Sequence, residues 1–306
     1  MNIVIIRPGA IGDTLLTFPV LRALRAKYPD AHVTFVSNAT VLPLAQEAGL
    51  ADEVFDFQLV QWSELFSTAG IRTPSLRALL HESDLAIGWM GDPDHLVARN
   101  LREAGVGQVM IAQGRPPQGE RVHVTEYLAR TIGIEALPGV LDLRGDEKPH
   151  RNAGATSIAL HPGSGGKQKC WPVERFAEVI ERVWQQRWPV LLLFGPADGK
   201  QLAYLRQRLV PPAPELLTML VDAPLIEVAR QLRDCQCYLG NDSGITHLAA
   251  MLGLPTIALF GPSDPAVWHP VGPDSGLVRV VHEPELAKLP VETVLELIMK
   301  FHNQDR

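Results

Sequence analysis

The strongest constraint on this chain is an alternation of short apolar runs with helix-patterned stretches, broken once and then resumed. Residues 3–6 read Ile-Val-Ile-Ile, too short for a helix and rich in β-branched side chains. After a loop holding Gly9 and Gly12, Leu15, Leu16, Phe18, Leu21 and Leu24 recur at helical spacing up to Tyr28-Pro29. Further strands are expected at 32–36, 54–57, 84–89 and 106–112, with helices at 39–48, 94–104 and 125–132. Such an alternation predicts a parallel sheet with helices on both faces. Residues 135–156 break it, with Pro138, Gly139, Gly145, Pro149 and Gly154 among charges, and read as a linker. The pattern then restarts, with strands at 157–160, 190–194, 216–220, 237–239 and 256–260. Helices are expected at 174–188, 199–208, 224–232, 244–252 and 291–302. The expectation is two α/β domains, 1–152 and 153–306, with the final helix free to pack back on the first. In sheets of this kind ligands bind beyond the carboxyl ends of the strands. The loops after strands are therefore where chemistry is sought.

Composition agrees and excludes much else. At about 150 residues per domain, 306 residues make two. With 46% hydrophobic and 20% charged residues, the chain is no disordered tail, coiled coil or small disulfide scaffold. A net charge of −6 argues against a dedicated nucleic-acid binder. Residues 1–150 hold 13 basic against 18 acidic side chains, and the remainder 15 against 16, so neither half is a charged tail. Cys170, Cys235 and Cys237 cannot make a disulfide framework, which points to a reducing, cytosolic compartment. The opening apolar run is too short for a signal peptide, and no run of about 18 apolar residues spans a membrane. Peripheral attachment stays open.

Three loops carry the candidate chemistry. The first is Arg7-Pro8-Gly9-Ala10-Ile11-Gly12-Asp13. Its glycines are spaced Gly-x-x-Gly, and the second strand ends Val36-Ser37-Asn38 without an acidic residue for a ribose, so a nicotinamide site is disfavoured. Asp13 is open to two readings: a carboxylate stabilised by a helix N-terminus, or a general base. The second loop runs from His161-Pro162-Gly163-Ser164-Gly165-Gly166 through Lys167 and Lys169 to Trp171-Pro172. Its glycine N–H groups and lysines suit phosphate oxygens, although Gln168 stands where a P-loop needs Ser or Thr. The third is Gly240-Asn241-Asp242-Ser243-Gly244-Ile245-Thr246-His247. The N–H groups of Ser243, Gly244 and Ile245 can meet an anion at a helix start, with His247 one turn on. Ser243 and His247 raise the thought of a hydrolase, but the Gly-x-Ser-x-Gly elbow is absent. Cys235-x-Cys237 lacks a second ligand pair for zinc, and His161, His269 and His282 are not metal-spaced.

Taken in order, these motifs resemble glycosyltransferase family 9, the bacterial lipopolysaccharide heptosyltransferases, over almost the whole chain. Arg7…Gly12-Asp13 with Leu-Leu-Thr-Phe-Pro-Val-Leu-Arg-Ala-Leu resembles the opening motif. His161-Pro162-Gly163 with Lys169-Cys170-Trp171-Pro172 resembles the second, and Asn241-Asp242-Ser243-Gly244-Ile245-Thr246-His247 the third. Leu259-Phe260-Gly261-Pro262-Ser263-Asp264-Pro265 and His123-Val124-Thr125-Glu126-Tyr127-Leu128 also look familial. The resemblance implies a GT-B fold, two Rossmann-like domains facing across a cleft. It implies inverting transfer of a heptose from ADP-heptose to the lipopolysaccharide inner core, with no cofactor and no metal required. Asp13 matches the family's catalytic base and Lys169 its donor-phosphate lysine. Ser164 and Gly165 fall at the diphosphate. Asp242, Ser243, Gly244 and His247 match the donor-sugar and phosphate motif, with Met219 or its neighbours at the adenine.

The acceptor implied is a lipid-linked oligosaccharide at the inner face of the bacterial inner membrane, bound by the first domain. Arg72, Arg115 and Arg121, with Arg77, are its candidate ligands or else solvated surface arginines. The expected protein is a cytoplasmic monomer. Two other readings share the architecture: a nucleotide-sugar epimerase or hydrolase, and a non-catalytic nucleotide-sugar binder.

Overall fold

A computed structural model describes residues 1–137, 143 and 157–304. The chain divides into two compact units, Met1–Gly139 and Val140–Arg306. The boundary expected at 152/153 and most of the expected linker lie outside the described residues.

The first unit is a five-stranded parallel sheet, β1 (Asn2–Ile6), β2 (His32–Ser37), β3 (Glu53–Asp56), β4 (Leu85–Trp89) and β5 (Gln108–Ala112), in the order β3-β2-β1-β4-β5. Its helices are α1 (Ile11–Leu15), α2 (Phe18–Lys27), α3 (Leu42–Glu47), α4 (Pro74–His81), α5 (Leu96–Glu103) and α6 (Val124–Thr131). Ile3, Val4, Ile5 and Ile6 are all buried, as a central strand covered on both faces requires. Ile6 pairs with Val36 on one side and Gly88 on the other. The sheet order reverses at β1, so a crevice opens beyond its carboxyl end, where Arg7 begins the first loop.

The single helix expected from Leu15 onward is two helices. α1 ends at Leu15 and α2 begins at Phe18. Pro19, with no N–H to give, sits in the first turn of the new helix, where that lack costs nothing. Two further elements had no periodic signal strong enough to read: the tight turns at Val60–Phe66 and α4. Both are short. The one local cue was Thr73-Pro74, a proline in a helix's first turn.

The second unit is a six-stranded parallel sheet. Its strands are β6 (Ile158–His161), β7 (Val190–Phe194), β8 (Leu217–Val221), β9 (Cys237–Asn241), β10 (Thr256–Phe260) and β11 (Val278–His282). Their order is β11-β10-β9-β6-β7-β8. Its helices are α7 (Val173–Gln185), α8 (Gly199–Arg208), α9 (Leu225–Arg233), α10 (Gly244–Met251), α11 (Pro265–Trp268) and α12 (Val291–Gln304). β11 escaped the sequence reading. It is an edge strand, half exposed, so Val-Arg-Val-Val-His shows no clean alternation. The apolar face of α12 is used within this unit: Val291, Val294, Ile298 and Phe301 share one core with Phe176, Ile180 and Val183 of α7. The chain winds outward from β6 through β7 to β8, then returns to lay β9 on the other side of β6. The switch point is therefore between β6 and β9, whose carboxyl ends carry the second and third loops.

Candidate functional site

In the first unit the site is built around Asp13 on α1. One carboxylate oxygen accepts the N–H of Ala10 at 3.1 Å, and the other accepts Nη2 of Arg7 at 3.2 Å. Arg7 is buried. Its Nη2 also donates to the carbonyl of Gly114 at 2.9 Å and its Nη1 to that of Pro8 at 3.3 Å. Burial pulls the guanidinium below its ordinary range, against the opposing charge of Asp13. Asp13 itself keeps 32% of its side chain exposed, so lone pairs remain turned toward solvent. The loop is shaped to allow this. A Cβ at Gly9 would come within 2.7 Å of the Asp13 Cβ. Ser37 donates to the Arg7 carbonyl at 2.6 Å, tying the loop to the end of β2. The helix-carboxylate reading is thus realised, since Asp13 caps its own first turn, and it leaves the base reading intact.

In the second unit the two loops are locked together by Asn241, the last residue of β9. Its Nδ2 donates to the carbonyls of Pro162 at 2.9 Å and Gly163 at 3.2 Å, and its Oδ1 accepts the N–H of Trp171 at 2.9 Å. Asn241 is fully buried, so these bonds stand in a low dielectric. Ser164 donates to the Asp242 carbonyl at 2.7 Å, and Lys169 pairs with the Asp242 carboxylate at 2.6 Å. Asp242 is buried, while Lys169 keeps 41% of its side chain exposed and can serve a ligand as well.

Behind these loops runs a row of polar groups. Asp198, at the start of α8, lies 3.0 Å from Nε2 of His161; Nδ1 of the same ring lies 3.2 Å from Oγ of Ser243. Ser243 is 3.1 Å from Oγ1 of Thr246, which Tyr238 approaches at 3.0 Å. Burial alone would raise the Asp198 carboxyl. The hydrogen bond and charge of His161 and the N–H of Gly195 outweigh it and hold the group below the usual carboxylate range. Burial dominates at Cys170, whose thiol is raised, with Asp198 adding to the shift. A side chain at Gly163 would collide with the Asp198 carboxylate, so this glycine is needed for the close approach.

The expected donor residues sort into three groups. Ser164, Lys169 and Asp242 are brought into one hydrogen-bonded cluster beyond β6 and β9, and Ser243, next in the chain, bonds to His161 and Thr246 instead. Gly165 is exposed with open space around its Cα, and Gly244 opens α10. His247 is buried, one turn into that helix. Met219 stands apart. It lies in the middle of the outer strand β8, packed on the core, three strand spacings or roughly 14 Å from β9.

Among the acceptor candidates, Arg115 follows Gly114, whose carbonyl holds Arg7, and so adjoins the Asp13 loop. Arg121 is exposed on the same connection. Arg72 is exposed, and its backbone N–H binds the Glu64 carboxylate at 2.8 Å. Thr73 above all, then Arg72, holds that carboxyl below its ordinary range.

Sequence reasoning missed roles for Arg7, His161, Asp198, Asn241, Thr246 and Tyr238. Arg7, His161, Asn241 and Thr246 lie inside the three motif loops. Asp198 had no local signal, since its partner is 37 residues away. Among the described residues, no group of three or more His, Cys, Asp or Glu side chains is placed to hold a metal ion. Nor is any helix among them long and apolar enough to cross a membrane.

Comparison with known proteins identifies the family. The profile of Glycosyltransferase family 9 (heptosyltransferase) matches residues 131–298, more than half of the chain. Lipooligosaccharide heptosyltransferase 2 of Haemophilus influenzae is 24% identical over 323 residues, which cover 94% of this chain and 91% of that protein. The structure of E. coli ADP-heptose lps heptosyltransferase II superposes with a TM-score of 0.78 at 21% identity, covering 100% of this chain and 99% of that one. E. coli heptosyltransferase WaaC with ADP gives 0.72 at 20% identity, covering 98% and 100%. At these identities the likeness establishes the fold, the two-domain α/β fold called GT-B. The family match goes further: this chain belongs to glycosyltransferase family 9 and is a glycosyltransferase.

Proposed function

We propose that the protein transfers a heptose from ADP-heptose to an acceptor of the lipopolysaccharide inner core, with inversion and without a metal. The acceptor hydroxyl oxygen attacks the anomeric carbon. Its proton passes to the Asp13 carboxylate, the bond from that carbon to the diphosphate oxygen breaks, and the electron pair leaves with ADP. One displacement needs one base and a stabilised leaving group.

The observation that carries this reading is the state of Asp13. It is oriented through both oxygens by Ala10 and Arg7, yet keeps lone pairs toward solvent. Lys169 and the N–H groups of Gly165, Gly244 and Ile245 supply the positive field that a departing diphosphate requires. The buried Asp242 carboxylate suits a sugar hydroxyl better than a phosphate. The names of the relatives, heptosyltransferases of lipopolysaccharide and lipooligosaccharide, support this choice of donor and acceptor. Arg115, next to the Gly114 carbonyl that holds Arg7, and Arg121, exposed further along the same connection, are assigned to the anionic acceptor. The proposed setting is the cytoplasm, against the inner face of the inner membrane, and the proposed acting form is the monomer.

The test is release of ADP from ADP-heptose with and without a heptose-deficient lipopolysaccharide core, in the presence of EDTA. Release that needs the core and survives EDTA is expected. Equal release without it would make the protein a hydrolase, sugar isomerisation without release an epimerase, and binding with no turnover a nucleotide-sugar receptor. Loss of turnover in EDTA, restored by a divalent cation, would overturn the metal-free mechanism.

A further inference from the structure

Arg7 follows the last residue of β1, and its side chain reaches along the sheet edge instead of out to solvent. On that side the strands stand in the order β1-β4-β5. Nη1 lies 3.3 Å from the Pro8 carbonyl and 3.5 Å from that of Trp89, which ends β4. Nη2 donates to the Asp13 carboxylate at 3.2 Å and to the Gly114 carbonyl, beyond β5, at 2.9 Å. One guanidinium thus spans the carboxyl ends of three neighbouring strands, about 10 Å of sheet. These contacts place four of its five N–H groups, and the fifth, Nε–H, is buried without an acceptor among the described residues. An unpaired buried donor costs stability, so this arginine is a poor device for holding the fold alone. Gly114 is fitted to the same group, since a Cβ there would collide with Nη1. Beyond it, Arg115 and residues 117–121 are exposed, and their backbone turns from the Glu120 N–H to the Pro117 carbonyl at 3.1 Å.

We propose that Arg7 is a positioning residue that fixes the connection after β5 against Asp13, with Gly114 as the seat that lets it do so. The shared Nη2 makes the Asp13 carboxylate and the Gly114 carbonyl neighbours of one atom. The exposed stretch 115–121 therefore cannot shift from the base without breaking that contact. The planar guanidinium fork holds both arms in one geometry. The proposal rests on the reading above in taking Asp13 as the base and the acceptor as approaching along this connection. Such placement matters because a misplacement of about 1 Å at a reacting group costs on the order of 10²-fold in rate. Asp13 keeps a third of its side chain exposed and can be solvated when its partner is removed. Loss of Arg7 should therefore free the connection without unfolding the unit.

The test is steady-state transfer by Arg7→Met, Arg7→Lys, Gly114→Ala, and Gly114→Ala combined with Arg7→Lys, with ADP affinity from calorimetry as the control. Arg7→Met should lower kcat about 10²-fold and raise the acceptor KM several-fold, with ADP affinity unchanged. Gly114→Ala should do the same, because its methyl group takes the place of Nη1. Lysine has a single nitrogen, which can serve Asp13 and the Gly114 carbonyl from the Nη2 position and leaves the Nη1 position empty. Arg7→Lys should therefore rescue Gly114→Ala to within a few-fold of Arg7→Lys alone. One close atom remains there, the Trp89 carbonyl oxygen at 3.1 Å. Gly114→Ala that is harmless with the arginine in place, or equally harmful beside lysine, would overturn the proposal. So would a fall in kcat with the acceptor KM unmoved, which would leave Arg7 as a counter-charge to Asp13 alone. If Arg7→Met fails to fold, the Gly114→Ala pair decides. Should Asp13→Ala transfer normally, the base reading fails, and amide hydrogen exchange over 113–122 then decides the proposal without turnover. Arg7→Met or Gly114→Ala should speed that exchange, and rates equal to wild type would refute the clasp.

Discussion

The two units present their loops in opposite ways. In the first, the Asp13 carboxylate is held by two contacts and left a third exposed. In the second, the polar side chains beyond β6 and β9 are tied to one another or to the loop backbone, and only Lys169 among the cluster keeps much of its side chain exposed. The proposed function accounts for the difference. A base must keep a lone pair for a proton that arrives only during reaction. A diphosphate site works by preorganised dipoles, which are strongest when the loops carrying them cannot move.

The sharpest way to break this contrast is Asp13→Ala. Transfer should fall by about 10²–10⁴-fold while ADP affinity holds, because general-base help is lost and the second unit is untouched. Near-normal transfer by a folded variant would remove Asp13 from its proposed role. Lys169→Ala comes next. It removes one cation from the leaving group, so kcat should drop roughly 10²-fold, and it strands the buried Asp242 carboxylate. If only KM moved, Lys169 would be a ground-state binder.

Stability sharpens the same comparison. Asn241→Ala leaves two carbonyls and the Trp171 N–H without their partner, so unfolding in urea should show a loss of about 2–4 kcal/mol. A loss under 1 kcal/mol would mean that the loops are not pinned there. Asp198 adds a smaller, pH-dependent effect. Its native carboxyl lies below the unfolded value, so its contribution is present above about pH 4 and fades as pH falls through the lower native value. Asp198→Asn should flatten the acid limb of the stability curve. An unchanged acid limb would refute the pairing with His161. The smallest effect is expected at Arg115→Ala, an exposed residue: a few-fold rise in KM for the core acceptor, with ADP affinity unchanged.

Much of this was legible in advance. The strand at Ile3 to Ile6 and the loops at Arg7, His161 and Asn241 could be read locally, because strand-loop-helix turns carry their signal in consecutive residues. Met219 was legible as a β-strand residue, and the structure places it on β8, partly buried against the core. α4 and β11 were not legible. One is short, and the other is an edge strand whose half-exposed faces blur the alternation.

By itself the sequence determined two parallel α/β units and the order of the three motif loops that carry Asp13 and Lys169, since each depends on neighbours in the chain. Only the tertiary structure decided what those motifs hold on to. Asp198 reaches His161 across 37 residues, Ser243 turns to His161 across 82, and Arg7 finds the Gly114 carbonyl across 107. Hydrogen bonds form between groups that a sheet's strand order brings to one edge, and strand order is set by packing that no short stretch of sequence contains.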